Sequence, residues 1–341
     1  MRYDFASDNT AGLAPEALAA LVRENEDFAR AYGADATTAK VAEAIRSLVQ
    51  ADAEVRLLFS GTAANAIALS MLAGRFESVL AHEAAHVRTD ETGAPGFFGS
   101  GVGLTPLPGA SGRIDPAALR AALAEPEVGH RQPAAALSLT QATEYGGVYT
   151  EEELRHLIEP VKALGYGVHL DGARLANAVA AGFDPADIPR LGVDILVLGG
   201  AKAGGLCVEA LVMFDRALAR RIDNRLKQAG QVASKGRFLA APLLGLLESG
   251  AWVDRAAHAN RMAQRLAQAI AARTPWPLAH PVQANAVFVR MPPEAHALVL
   301  EAGWACYPFN DGSIRFVCSW ATTTEAVDEL AEVLAETAAR D

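Results

Sequence analysis

Short apolar runs that alternate with longer helical patterns constrain this chain more than any other feature of its sequence. Residues 55–59, 78–81, 134–139, 167–170 and 195–198 are nearly free of polar alternation and too short to be core helices. Such runs read as strands covered on both faces, the condition of a parallel sheet. Before and between them lie helical patterns over 15–28, 38–51, 64–72, 116–123, 151–164 and 173–181. Thr150 with Glu153 makes a capping box, and Gly182 stands where a helix-ending glycine belongs. The alternation predicts βαβ units and an α/β fold with a mostly parallel sheet.

Past residue 247 the pattern changes. A long amphipathic stretch over 253–273 is followed by Pro275 and Pro277, strand-like 286–290, 306–308 and 314–318, and a closing helix over 322–339. This predicts a large domain over 1–250 and a smaller C-terminal α+β domain over 251–341. A chain of 341 residues has room for both.

A net charge of -10 repels phosphate backbones and anionic membranes, so neither nucleic acid nor membrane is expected as a partner. Cys207, Cys306 and Cys318 lack paired spacing, which points away from a disulfide framework or thiolate zinc site and toward a reducing compartment. No apolar stretch follows Arg2, so no secretory signal is read and a cytoplasmic location is expected. The most apolar segment, 239–247, is too short to span a bilayer and contains Pro242.

The chemistry gathers at strand ends. The run Gly167-Val168-His169-Leu170-Asp171-Gly172-Ala173-Arg174 ends a strand in a carboxylate, and open parallel sheets bind ligands beyond the carboxyl ends of their strands. About 30 residues on, the length of one βαβ unit, a second apolar strand delivers Lys202 into Gly199-Gly200-Ala201-Lys202-Ala203-Gly204-Gly205. A lysine among small apolar neighbours loses its proton more readily, and the neutral amine condenses with carbonyls. An aspartate from the neighbouring strand end suits the ring nitrogen of pyridoxal 5'-phosphate (PLP). The bland reading is a lysine reaching solvent and an aspartate capping a helix. Phe59-Ser60-Gly61-Thr62-Ala63-Ala64-Asn65 offers strand, glycine turn and helix start, where Gly61 and Thr62 could take a phosphate; Ser-Gly-Thr is equally a good helix cap.

Together these residues resemble the threonine aldolases, PLP enzymes of the aspartate-aminotransferase fold (fold type I). The motifs that carry the resemblance are Ser7-Asp8-Asn9, Ser60-Gly61-Thr62, His169-Leu170-Asp171-Gly172-Ala173-Arg174, Gly199-Gly200-Ala201-Lys202 and the stretch Arg315-Phe316-Val317-Cys318-Ser319-Trp320. The resemblance implies that Lys202 carries PLP covalently, that Asp171 pairs with the ring nitrogen and that Arg174 lies near the cofactor hydroxyl or the substrate carboxylate. It places Gly61 and Thr62 at the phosphate, and Ser7 and Arg315 at the substrate carboxylate. His86 takes the position of the ring stacked on PLP and is a candidate base for the β-hydroxyl; His130 is a candidate helper through water. The basic stretch of Lys227, Lys235 and Arg237 is a solvated face or, by analogy, lends Lys235 to the phosphate of a neighbouring subunit. Implied as well are an amino-acid substrate and a homo-oligomer, a dimer or homotetramer with active sites at subunit interfaces.

Asn9 and Ala201 each stand where the family usually has threonine, and 140–144 reads Thr-Gln-Ala-Thr-Glu where many members have Glu-Asn-Thr-His. The activity expected is cleavage of L-threonine, L-allo-threonine or a related β-hydroxy-α-amino acid to glycine and an aldehyde. Another PLP amino-acid enzyme (β-lyase, racemase or transaminase) and a non-catalytic PLP sensor are the alternatives, together with a zinc hydrolase. That last reading comes from His82-Glu83-Ala84-Ala85-His86, which satisfies H-E-x-x-H. Strand-like residues before it, Thr92 at the third metzincin position and the helix-breaking Gly93-Ala94-Pro95-Gly96 weigh against a metal.

Overall fold

The computed structural model describes residues 1–340. Seven strands, β1 (Glu54–Leu58), β2 (Ser78–His82), β3 (Gly103–Leu107), β4 (Ala134–Thr140), β5 (Gly167–Gly172), β6 (Ile195–Gly199) and β7 (Glu209–Met213), form one sheet in the order β1-β7-β6-β5-β4-β2-β3. β2 through β6 pair in parallel, whereas β7 runs antiparallel to both β1 and β6. Every position of β2, β6 and β7 is buried, which is why these runs carry no alternation.

Two strands lie outside the sequence pattern. β3 contains Pro106, tolerated because β3 is an edge strand where a missing N–H costs no ladder bond. β7 begins at Glu209, a buried carboxylate that interrupts its apolar run. The apolar segment around Pro242 is a helix, Arg237–Glu248, packed on the helices Pro15–Glu24 and Ala36–Val49. Gly245 permits that approach: a Cβ there would lie 2.7 Å from Ala20 Cβ and 2.7 Å from the Glu16 carbonyl oxygen.

The second sheet is antiparallel, β8 (Ala286–Val289), β9 (Tyr307–Pro308) and β10 (Ile314–Val317), ordered β8-β10-β9. The helix Ala251–Arg273 joins the two layers. At its start the Trp252 indole donates to the Gly199 carbonyl at 3.1 Å, and farther along Leu266 and Ile270 enter the second core. The chain's first residues also belong to that core. Phe5, 1% exposed, packs 5.5 Å from the Trp304 ring, and its carbonyl accepts the Val317 N–H at 2.8 Å. The division at about residue 250 is kept as a proposal, with residues 2–5 lying on the C-terminal sheet. No helix among the described residues is long and apolar enough to cross a membrane.

Candidate active site

Pleating sorts the side chains of β5. Val168 and Leu170 enter the main core, while His169 and Asp171 share the opposite face. Asp171 accepts from the Ala173 N–H at 2.9 Å and from Asn65 Nδ2 at 2.9 Å. His169, beneath it, meets Ser138 Oγ at 2.9 Å, and burial lowers its pKa to about 4, so it stays neutral. Beyond β6 the glycine turn is forced by proximity. A Cβ on Gly199 would lie 2.3 Å from the Ala173 carbonyl oxygen, so only glycine lets the Lys202 turn close on the Asp171–Arg174 turn.

Lys202, Asp171 and Arg174 line one cavity of about 290 Å³ with Gly61, Thr62, His86, Glu144 and Glu209. Burial and the Arg174 charge hold the Lys202 ammonium below its ordinary pKa, against Asp8, Asp171 and Glu209. Burial pushes the Glu209 carboxyl up to about 8, against the Lys202 charge; its Oε2 accepts the Gly200 N–H at 3.2 Å. Arg174 is gripped by Asp8, Nε to Oδ2 at 2.7 Å and Nη2 to Oδ1 at 2.9 Å, and Asn285 also donates to Asp8 at 3.1 Å. Although burial disfavours its charge, Asp8 stays below the ordinary carboxylate range through Arg174, Lys202 and these hydrogen bonds. Arg315, on β10, has its Cζ 5.0 Å from the Phe309 ring centroid and a buried Nε with no partner. Burial and the nearby Arg174 lower its pKa, so an incoming carboxylate would relieve both.

The helix Gly61–Leu72 points its first turn into the cavity. Ser60 makes no side-chain cap, and a Cβ on Gly61 would meet nothing within 4 Å. Uncapped N–H groups beside open space are an anion site. A larger cavity of about 760 Å³ lies beside Tyr32, Arg46 and Lys227, but most of its charges are engaged within the fold, and the Lys227 ammonium sits 5.1 Å over the Tyr32 ring. Arg56 pairs with Asp223 at 2.7 Å, Arg46 donates to the Ala53 carbonyl at 2.8 Å, and Asp35 caps Thr38 at 2.7 Å.

The family model described as beta-eliminating lyase matches residues 4–293. A low specificity L-threonine aldolase from a Pseudomonas species is 45% identical over 331 residues, covering 96% of this chain and 95% of the relative. The chain belongs to the beta-eliminating lyase family. The structure of the Leishmania major threonine aldolase superposes with a TM-score of 0.92 at 31% identity, over 98% of this chain and 99% of that one. An aspartate aminotransferase of Thermus thermophilus matches at a TM-score of 0.72 and 17% identity, over 98% and 92%, and shares the fold. PLP is the cofactor of such enzymes, and the residues fit it. The uncapped helix start with open space at Gly61 suits a phosphate, the buried Asp171 suits a ring nitrogen, and the depressed Lys202 amine suits a carbonyl.

In this member of the beta-eliminating lyase family, Gly61, Thr62, His86, Asp171, Arg174 and Lys202 meet in one cavity. Ser7 does not line it; its Oγ accepts the Asn9 N–H at 3.2 Å and caps the turn that aims Asp8 at Arg174. His130 is not brought to the cavity. It sits exposed in the loop before β4, whose opposite, carboxyl end carries Thr140 into the site. Lys235 is exposed and likewise outside its own chain's cavity. The H-E-x-x-H stretch is not one helix. His82 ends β2, its Nε2 lies 3.0 Å from the Gly109 carbonyl oxygen and its Nδ1 accepts the Ala84 N–H at 3.0 Å, while His86 opens a separate short helix. Both nitrogens of His82 are therefore engaged, which corrects the zinc reading. The residues that sequence reasoning missed are Asp8 as the partner of Arg174, Asn65, Glu91, Glu144 and Glu209. Asp8, Asn65 and Glu144 sat inside stretches already read; Glu91 and Glu209 carried no local signal.

Proposed function

We propose that this chain cleaves L-threonine, L-allo-threonine or related β-hydroxy-α-amino acids to glycine and an aldehyde. The observation that carries the reading is the convergence of Lys202, Asp171, Arg174 and the open helix start at Gly61 on one cavity. Gly61, Thr62 and the first-turn N–H groups would hold the phosphate, Lys202 the covalent link, and Asp171 a proton at the ring nitrogen. When bound, PLP supplies an electron sink for the pair left at Cα as the Cα–Cβ bond breaks.

The protein's own part is orientation and proton movement. Arg315, whose buried Nε has no partner, binds the substrate carboxylate. Arg174 has two of its nitrogens committed to Asp8, so it contributes charge and position more than a second fork. His86, which lines the same cavity as Asp171 and Lys202, would flank the bound ring and take the β-hydroxyl proton. Lys235 would reach the phosphate of a neighbouring copy in a dimer or homotetramer, adding a cation to the site, and the enzyme works in the cytoplasm. Incubation with L-threonine, L-allo-threonine, their D-forms and phenylserine tests the reading. Glycine and aldehyde in equal amounts from an L-substrate support it, and 2-oxobutanoate with ammonia from threonine, or a racemised amino acid, instead would replace it with another PLP activity.

A further inference from the structure

Glu91 lies five residues past His86 and is buried completely, its side chain 0% exposed. Its Oε1 meets two donors, His86 Nδ1 at 2.9 Å and Asn65 Nδ2 at 2.9 Å, while Oε2 is buried without a partner. The second hydrogen of Asn65 Nδ2 goes to Asp171 Oδ2 at 2.9 Å. Donor counting follows from this arrangement. The amide hydrogens of Asn65 point at two carboxylate oxygens, which therefore act as acceptors, and the hydrogen between Glu91 and His86 resides on Nδ1. Nε2 is left as the ring nitrogen with no protein partner among the described residues. A buried carboxylate that fixes an imidazole through its Nδ1–H sets both tautomer and basicity.

We propose that Glu91 is the positioning residue of His86, presenting Nε2 to the substrate hydroxyl, and that Asn65 ties this pair to Asp171. The inference rests on the aldolase reading, in which His86 takes that proton. In the step, the hydroxyl O–H bond breaks and its proton moves to His86 Nε2. The O–H electron pair becomes the second C–O bond of the aldehyde, and the Cα–Cβ pair stays with Cα. A proton is then delivered to Cα, so the substrate divides into aldehyde and glycine with no atom gained or lost. The imidazolium formed meanwhile is held by the Glu91 charge.

The groups facing this pair come from every wall of the site: Asp171 from β5, Lys202 from the turn after β6, and Glu144 from the loop after β4, where its Oε1 accepts the His86 backbone N–H at 2.9 Å. His86 is held above its ordinary pKa first by the Glu91 hydrogen bond, against burial, with Asp171 adding and Lys202 opposing. Burial raises Glu91, against the hydrogen bonds from His86 and Asn65.

Imidazole ¹⁵N NMR on cofactor-free wild type and Glu91→Gln, with kinetics on the loaded enzymes, tests the proposal. In wild type the Nδ1–H tautomer is expected. In Glu91→Gln, which keeps the shape and loses the charge, the His86 titration midpoint should fall by about one pH unit or more. The acid limb of the kcat profile should move with it, and kcat should drop roughly ten- to a hundredfold, less than the ~10²–10⁴-fold of a whole general base. An Nε2–H tautomer in wild type, or an unmoved midpoint in the variant, overturns the proposal, and the wild-type tautomer decides alone where the variant does not fold. Should wild type cleave no β-hydroxy amino acid, the aldolase reading and the hydroxyl role fall, while the NMR arm still reports whether Glu91 orients His86.

Discussion

Three carboxylates, Glu144, Asp171 and Glu209, share one small cavity with Lys202 and set the residue-scale chemistry, and Lys202 and Glu209 answer to different variants. Lys202→Ala removes the amine that follows β6 into the glycine turn. Borohydride reduction and peptide mapping should find PLP on Lys202 in wild type and on no lysine in the variant, with turnover lower by at least ~10²-fold. Label on another lysine of the wild type would remove Lys202 from its role. Glu209 makes a pH prediction. Its carboxyl rises from an ordinary 4.5 to about 8 through burial, opposed by Lys202. Between those values the folded chain binds a proton that the unfolded chain has released, so this group's stabilisation is present at low pH and is lost as pH rises through the window. Cofactor-free Glu209→Gln should therefore gain thermal stability over wild type at pH 8 and little at pH 4.5. An equal difference at both pH values would assign Glu209 a packing role only.

At the scale of elements, the helix Gly61–Leu72 offers the cleanest test, because its start is open on the side where a phosphate would sit. Gly61→Ala adds a methyl that meets no protein atom within 4 Å. The cofactor-free variant should keep the wild-type melting temperature while PLP affinity weakens by roughly tenfold or more, about 1.4 kcal/mol, as the methyl fills the anion's space. Unchanged affinity in equilibrium dialysis would move the phosphate away from this helix. The same scale shows how far the sequence could be read. β5 and β6 were legible because each is a mainly apolar run, interrupted in β5 only by His169, that ends in one charged residue or a glycine turn, and those ends are the site. β3 and β7 were not, since Pro106 and Glu209 break the local pattern and only pairing in the sheet makes them strands. His130, named only through the family resemblance, lies outside its own chain's cavity because it precedes the amino end of β4, the end opposite the site. Asp8 and Arg174 are 166 positions apart, and Glu91 reaches Asp171 only through Asn65, so those contacts exist only once the fold brings the segments together.

For the whole molecule, the decisive arrangement is that the first ten residues connect both sheets. Arg2 donates its N–H to the Gly303 carbonyl at 2.6 Å and accepts from Ala305 at 2.8 Å, and Phe5 fills the second core against Trp304. Three residues on, Asp8 clamps Arg174 beside β5 and takes a hydrogen bond from Asn285 next to β8. One short segment thus couples the packing of the C-terminal sheet to the charge that orients Arg174, and Arg315 on β10, outside the residues that line the cavity, lies within reach of the Arg174 and Asp8 charges. Phe5→Ala tests the coupling. Removing a fully buried aromatic ring typically costs about 3–5 kcal/mol, which should appear as a lower melting temperature. If the segment transmits packing to the site, the amino-acid KM should also rise several-fold while PLP occupancy holds, because Gly61, Thr62 and Lys202 lie on elements that Phe5 does not touch. Asp8→Asn, which leaves the second core whole, should raise KM as well, with a loss of stability of its own because Arg174 is left without its buried partner. A destabilised Phe5→Ala enzyme with wild-type KM would mean that the capped turn at Ser7 holds Asp8 without help from the second core.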